Sequence, residues 1–481
     1  MGSIITLLAS KITSGGVWAT IFNWLIDIIP SYGWIMIILT ILIKLLLSPL
    51  EYLQKATSID QMKKRQLMQP ELDKINKKYG NNQELIQKKT EELNKKYNVN
   101  NSAGSGCRNM LLYLLLSILI FTSLYSSVGT FSKNIVSNEF ASMQQTYTAT
   151  FNYHKYEGDS VSTTQEYNDF YNSFLDEYLN NYNEETMKDF ETKEAFATAM
   201  ADNEISSIAQ DAVLNGVTLV GAGEDGQDLT FTGYKDMIEG WLWVKNVWRP
   251  DTAKSVFPTA DEFISSSGLA FQLVYKYDIA DPETPDEDCI IEEINGETVR
   301  YKKDAEGNKV VLYTYYYEDM NGKIYYSAEK QNEGKPEEEF ITENQARQNA
   351  IDAFKADYDA VTGKVFEQYS GANGYYILVI ALCVLIILSS KLSHVGLKVK
   401  DKKGEEQDVK SSKQGMGMMI FMIALMVLLS YNRATIFSLY LVTQYLIGIP
   451  INLVINKISN KRTEKKEQKR TETIVADYVR R

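Results

Sequence analysis

Residues 32–50 read YGWIMIILTILIKLLLSPL, an almost unbroken apolar run with one charge, Lys44. At about 1.5 Å per residue, roughly 20 residues cross the hydrocarbon core of a bilayer, so the run predicts a membrane-spanning helix over 31–50. Four more apolar runs predict spans at residues 109–130, 373–391, 416–432 and 433–455. Residues 51–108 are highly charged, with apolar positions at helical spacing: Leu67, Leu72, Ile75 and Tyr79, then Leu85, Ile86, Leu93 and Tyr97. Gly80-Asn81-Asn82 between the two sets is a turn signal, so a helical hairpin is expected. Pro70 removes a backbone donor and is expected to kink or restart the first arm. Residues 101–106 (NSAGSG) read as a flexible linker. Residues 1–30 hold a shorter apolar stretch that puts Trp18, Phe22, Leu25 and Ile29 on one face. It reads as an interfacial amphipathic helix with Trp18 and Trp24 at headgroup depth. No basic segment leads into a cleavable leader, so no cleaved signal is expected.

Residues 131–372 have another character. They are polar and Tyr-rich, helical in pattern near 167–210 and 344–368, and strand-like over 271–326. Turns are expected at Asn295-Gly296, Glu306-Gly307-Asn308 and Asn321-Gly322. An α+β domain follows. Trp241, Trp243 and Trp248 gather near Arg249-Pro250. They are either the core of that domain or a surface for a partner, a wall component or the outer leaflet.

Charge separates the same parts. The chain carries −12 overall, but residues 135–372 carry about −28 and the rest about +16. Apolar spans among basic segments, with one acidic polar domain, describe a polytopic α-helical membrane protein and exclude a soluble enzyme. Lys and Arg concentrate in the hairpin (Lys63-Lys64-Arg65 among them), in the loop 392–415 and in the tail 456–481. The positive-inside rule then puts these in the cytoplasm, with the N-terminus and the acidic domain outside and the C-terminus inside. Of three cysteines, Cys107, Cys289 and Cys383, only Cys289 lies in the acidic domain, so no disulfide framework can form there. Neither the cysteines nor His154 and His394 have metal-ligand spacing, and no Gly-rich phosphate loop is present; no metal or cofactor is expected.

A charge inside a span costs on the order of 3 kcal/mol on insertion scales. Lys44 therefore either snorkels to a nearby surface or lines a polar space. The hairpin carries Gln69-Pro70-Glu71, Lys78-Tyr79-Gly80 and Lys96-Tyr97-Asn98-Val99-Asn100, and the last run carries Ser438-Leu439-Tyr440 and Thr443. With the run at 32–50, these motifs resemble the YidC/Oxa/Alb membrane protein insertases, over about half of the chain. The resemblance implies a five-helix insertase core, a cytoplasmic helical hairpin and an extracytoplasmic α+β insertion, in a bacterial cell membrane. It has departures. Lys44 stands where bacterial members usually carry Arg, the proline before the second span and that span's Gln-Met-Pro are missing, and Leu441 replaces a Trp. The outer domain is not typical of the family.

The resemblance also implies a function: an insertase or chaperone for small or N-out membrane proteins, with no enzyme chemistry. Lys44 would supply the charge of a hydrophilic groove open to the cytoplasm. Thr40, Thr122, Ser123, Ser126, Thr443 and Gln444 would supply its polarity. For each of them, bonding to its own helix or to a neighbouring helix is the competing reading. Phe121, Leu124, Tyr125, Met422 and Met426 would form an apolar slide, against the plainer reading of lipid-facing or packing residues. Gln69, Pro70 and Glu71 mark the hairpin. Expected partners are nascent membrane proteins, the ribosome, targeting machinery, the Sec translocon, the lipid bilayer and an extracytoplasmic ligand. A membrane-anchored receptor or assembly scaffold working through the outer domain is the alternative.

Overall fold

The apolar run at residues 32–50 is helical, and the helix continues far past it. The structure is a computed structural model that describes residues 12, 16–80, 82–96, 99–155, 165–180, 190–223, 226–265, 273–278, 290–294, 297–303, 309–311, 314–319, 322–393, 398–400, 406–408, 413–431 and 433–479. In chain order the helices are α1 (Val17–Ile26), α2 (Tyr32–Tyr79), α3 (Gln83–Lys96), α4 (Val99–Lys155), α5 (Gln165–Asn180), α6 (Lys193–Asn215), α7 (Tyr234–Met237), α8 (Ala260–Ile264), α9 (Ala328–Asn332), α10 (Glu343–Tyr369), α11 (Ile377–Leu392), α12 (Lys413–Tyr431) and α13 (Thr435–Val479). Among the described residues, three stretches are long and apolar enough to cross a membrane: Tyr32–Thr57, Leu111–Lys155 and Thr435–Ser459. Val17–Ile26, Ile377–Leu392 and Met419–Tyr431 are shorter apolar helices.

The chain divides into two compact units. One comprises Met1–Thr13, Ser132–Ile238 and Lys254–Gly371; the other comprises Ser14–Phe131, Glu239–Ala253 and Ala372–Arg481. The first has a helical core in which Phe140, Phe263, Phe354 and Tyr358 pack from three helices, with Phe140 and Tyr358 stacked at 4.9 Å. Thr342 and Gln345 form a capping box at the start of α10. Two antiparallel three-stranded sheets accompany the helices. Val274–Asp278, Thr314–Glu318 and Ile324–Tyr326 make one; Ile290–Ile294, Glu297–Lys303 and Lys309–Val311 make the other. The helices near 167–210 and 344–368 and the strands within 271–326 accord with the sequence pattern, whereas the helical continuation from Phe131 to Lys155 and the strand pair Val217–Leu219 and Leu229–Phe231 go beyond it. Gly322 turns at φ 81°, whereas Asn295-Gly296, Glu306-Gly307-Asn308 and Asn321 lie outside the described residues, as do Cys289 and His394.

In the second unit, α2 and α3 form the hairpin. Met68 and Leu93 are buried, with Leu72 and Ile75 against them. Lys96 reaches Glu71 at 3.0 Å, and Asn82 caps α3 by accepting from the Leu85 N–H. Pro49 and Pro70 both lie inside α2, and neither ends it. A proline forfeits one helical hydrogen bond, and the packing around Met68 and Leu72 holds the helix across that gap. Residues 101–106 are also helix rather than linker, as part of α4.

Residues 239–253 fold with the helices and fasten three helix starts. Helix N-termini leave unpaired N–H groups. At the start of α2, the Glu239 carboxylate accepts from the Ser31 hydroxyl at 2.8 Å and from the Gly33 N–H at 3.1 Å. At the start of α11, Asp251 accepts from the Leu378 N–H at 2.7 Å. At the start of α13, the carbonyls of Arg249 and Val247 accept from the N–H groups of Thr435 and Ile436. Asn373, fully buried, donates to the Asn246, Arg249 and Pro250 carbonyls and accepts from the Asn246 N–H. Two glycines permit the approach. A Cβ on Gly33 would lie 2.6 Å from the Trp241 ring, and one on Gly374 would collide with Asp251.

The tryptophans therefore do not form the core of the α+β unit. Trp248 is buried edge-on to Tyr32 at 4.9 Å, and Trp241 meets Trp34 at 6.2 Å. In α1, Phe22 is buried, Trp24 is exposed, and Trp18 donates to Ser123 at 2.8 Å.

Candidate functional site

Within the helical unit, α2, α4, α12 and α13 enclose a cavity of about 300 Å³. Thr40, Lys44, Tyr113, Ser117, Tyr440, Gln444 and Tyr445 bring polar atoms to a lining otherwise made by residues such as Phe121, Met422, Met426 and Leu441. Lys44 is the charged residue among the lining side chains. It is 8% exposed, and its ammonium lies 2.8 Å from Glu51 Oε2, whose side chain is 12% exposed. Gly448 of α13 faces the lysine: a Cβ there would sit 3.6 Å from Lys44 Cε, in ordinary van der Waals contact. Further along α2, Lys55 donates to Asn452 Oδ1 at 2.8 Å.

Thr40, Lys44, Glu51 and Lys55 fall at i, i+4, i+11 and i+15, one polar stripe on α2. Sequence reasoning missed the lining residues Tyr113, Ser117 and Tyr445, and it missed Glu51. For Glu51 the signal was this spacing, obscured because Glu51 lies past the apolar run among the hairpin's many charges.

The structure brings together Lys44, Thr40, Gln444, Phe121, Met422 and Met426. It leaves the other expected groove residues elsewhere. Thr122 is exposed, and its hydroxyl bonds back to the Ile118 carbonyl at 2.8 Å. Ser126 is exposed, and Thr443 is buried outside the cavity lining. A span's lone hydroxyl is satisfied by its own helix, so its presence does not mark a wet surface. Thr40 does the same, donating to the Met36 carbonyl at 2.6 Å, although it lines the cavity. Leu124 is fully buried, and Tyr125 packs on Phe437 at 5.1 Å with the Arg433 guanidinium 4.1 Å over its ring. Both are packing residues here. Gln69 bonds to Asp73 and Glu71 pairs with Lys96, both on the exposed hairpin. Among the described residues, no cluster of His, Cys, Asp or Glu could hold a metal ion.

Long apolar helices around a largely apolar cavity with a buried lysine define a multi-pass helical membrane protein. Residues 24–172 match the family model described as 60Kd inner membrane protein. The chain is 32% identical over 108 residues to "Membrane protein insertase YidC" of Anaeromyxobacter sp. (strain Fw109-5), covering 22% of this chain and 19% of that protein. It is 40% identical over 100 residues to the protein of the same name from Leptospira interrogans serogroup Icterohaemorrhagiae serovar Lai (strain 56601), covering 21% and 15%. The chain thus spans less than a fifth of the length of these relatives. No solved structure matches it significantly. The resemblance to the YidC/Oxa/Alb insertases holds over the matched stretch, which includes Lys44, Glu51 and the hairpin.

Proposed function

We propose that this protein is a membrane protein insertase or chaperone that receives polar tails of small or N-out membrane proteins at Lys44. The observation that carries the reading is a nearly buried lysine facing a cavity between apolar helices, inside the stretch that matches the insertase family. A polar tail crossing hydrocarbon leaves groups unpaired at several kcal/mol each. A polar cavity shortens the dry path. A fixed cation attracts acidic side chains strongly where the dielectric is low. The substrate's apolar segment then leaves along Phe121, Met422 and Met426, whose flexible thioethers suit varied partners. The chemistry is binding and release, with no bond made or broken.

The supporting topology has five spans, with α11 and α12 as the third and fourth, the hairpin and tail in the cytoplasm, and the N-terminus and acidic domain outside. Its support is the Lys/Arg distribution. The basic hairpin suits targeting machinery, the ribosome or the Sec translocon, and the tail suits phosphate-rich surfaces.

Complementation in cells depleted of their own insertase tests the proposal. Rescue is expected for wild type and Lys44→Arg, and loss at equal membrane levels for Lys44→Met with Glu51→Gln, which removes the cation without stranding Glu51. Wild type that inserts correctly and fails to rescue would refute the general insertase and favour a scaffold acting through the acidic domain.

A further inference from the structure

We propose that the turn Trp241–Val244 is a membrane-interface anchor that seats Leu242 and Trp243 at the headgroup–acyl boundary, at the end of the bundle holding the starts of α2, α11 and α13. Three observations converge on it. First, the turn is strained to expose apolar side chains. Trp241 and Val244 bond to each other's backbone, and Leu242 between them has φ 52°. A bulky residue in the left-handed region is an outlier that needs support from its surroundings. Leu242 is nonetheless 70% exposed, and Trp243 is 42% exposed. Nothing in water favours holding a leucine in this way.

Second, the strain recurs beside it. Tyr375 and Tyr376 also have positive φ, at 58° and 63°. They follow Gly374, whose Cβ position lies 3.4 Å from a Val244 methyl. Tyr375 is 65% exposed, and Tyr376 stacks on Tyr431 at 5.9 Å. All the non-glycine residues with positive φ among the described ones are these three.

Third, the exposed aromatics belong to ends of helices that carry exposed apolar side chains further along. Trp34 at the start of α2 is followed by exposed Leu42 and Leu46 on that helix. Tyr375 precedes exposed Ile380 on α11, and Tyr431 follows exposed Leu428 on α12. The patch is therefore continuous with the flanks that face lipid. Tryptophan and tyrosine favour the bilayer interface, where ring and polar edge are both satisfied. The occupant is the lipid interface itself. The inference rests on the spanning role of these helices and not on insertase activity, so failure of complementation leaves it untouched.

The test uses the full chain in phosphatidylcholine vesicles carrying lipids brominated either near the headgroup or near the chain ends. The fluorescence lost on Trp243→Phe is the signal of Trp243. That component should be quenched more strongly by the shallow bromines than by the deep ones, and little by aqueous iodide. Leu242→Trp in the Trp243→Phe background gives a second reporter that should behave alike. Quenching by iodide without quenching by bromolipid would overturn the proposal, and so would protection from both, which would mean that protein covers the turn.

Discussion

Lys44 and Glu51 lie two turns apart on one helix face and neutralise each other at 2.8 Å with little solvent access. Burying two charges costs several kcal/mol each, and their attraction returns about that much. Removing one partner is a different matter, because it strands the other. Lys44→Ala should therefore destabilise the protein by about 3–5 kcal/mol, while the double variant Lys44→Met with Glu51→Gln should cost far less. Unfolding in detergent micelles checks both. Under the proposed function, Glu51 is also the competitor that an acidic substrate residue must displace. Glu51→Gln should strengthen photocrosslinking of acidic tails to the cavity; unchanged crosslinking would make Glu51 a purely structural counter-ion. Lys44 was legible in the sequence as one charge in an apolar run. Its partner was not, because Glu51 sits among the hairpin's charges and only helical register connects the two. Gly448 was equally silent, since it meets Lys44 only once segments about 400 residues apart come together.

At the scale of elements, the helices were legible because apolar runs and 3.6-residue periodicity report local structure directly. The fastening of their starts was not. Residues 239–253 sit in an acidic, polar stretch, and capping by Glu239, Asp251 and two carbonyls exists only once distant segments meet. The tryptophans left core and surface both open; Trp248 is buried and Trp243 is exposed. Burial raises the carboxyl pKa of both Glu239 and Asp251 above its ordinary value, outweighing the N–H groups that pull it down. The folded state thus binds protons more readily than the unfolded chain. The contribution of these two groups is fullest below the ordinary carboxyl range, about pH 4, and is lost as pH rises through the raised values. Thermal unfolding in micelles should show this fall, and Glu239→Gln with Asp251→Asn should flatten it while keeping an acceptor for each helix start. A second expectation concerns Gly33. Gly33→Ala puts a methyl into the Trp241 ring and should loosen the cap on α2, lowering the melting temperature more than an exposed Gly→Ala elsewhere does.

For the whole molecule, the division into units changes what a deletion should do. Excising residues 135–372 in one piece also removes the caps on α2, α11 and α13. Excising 132–238 and 254–371 separately, with 239–253 retained between short linkers, removes the acidic unit and spares them. The second variant should be the better behaved, with higher membrane levels and stronger rescue; equal failure of both would make the acidic unit part of the working core. The most direct test of the central claim exchanges the two charges. Lys44→Glu with Glu51→Lys keeps an ion pair on α2 and places a negative charge at the cavity. If the cation at position 44 receives acidic tails, this variant should reach wild-type membrane levels, lose insertion of acidic-tailed substrates, and gain insertion when the tail's acids are replaced by lysines. Insertion of acidic tails at the wild-type rate by the exchanged variant would contradict the account, leaving the pair a structural feature of the helix.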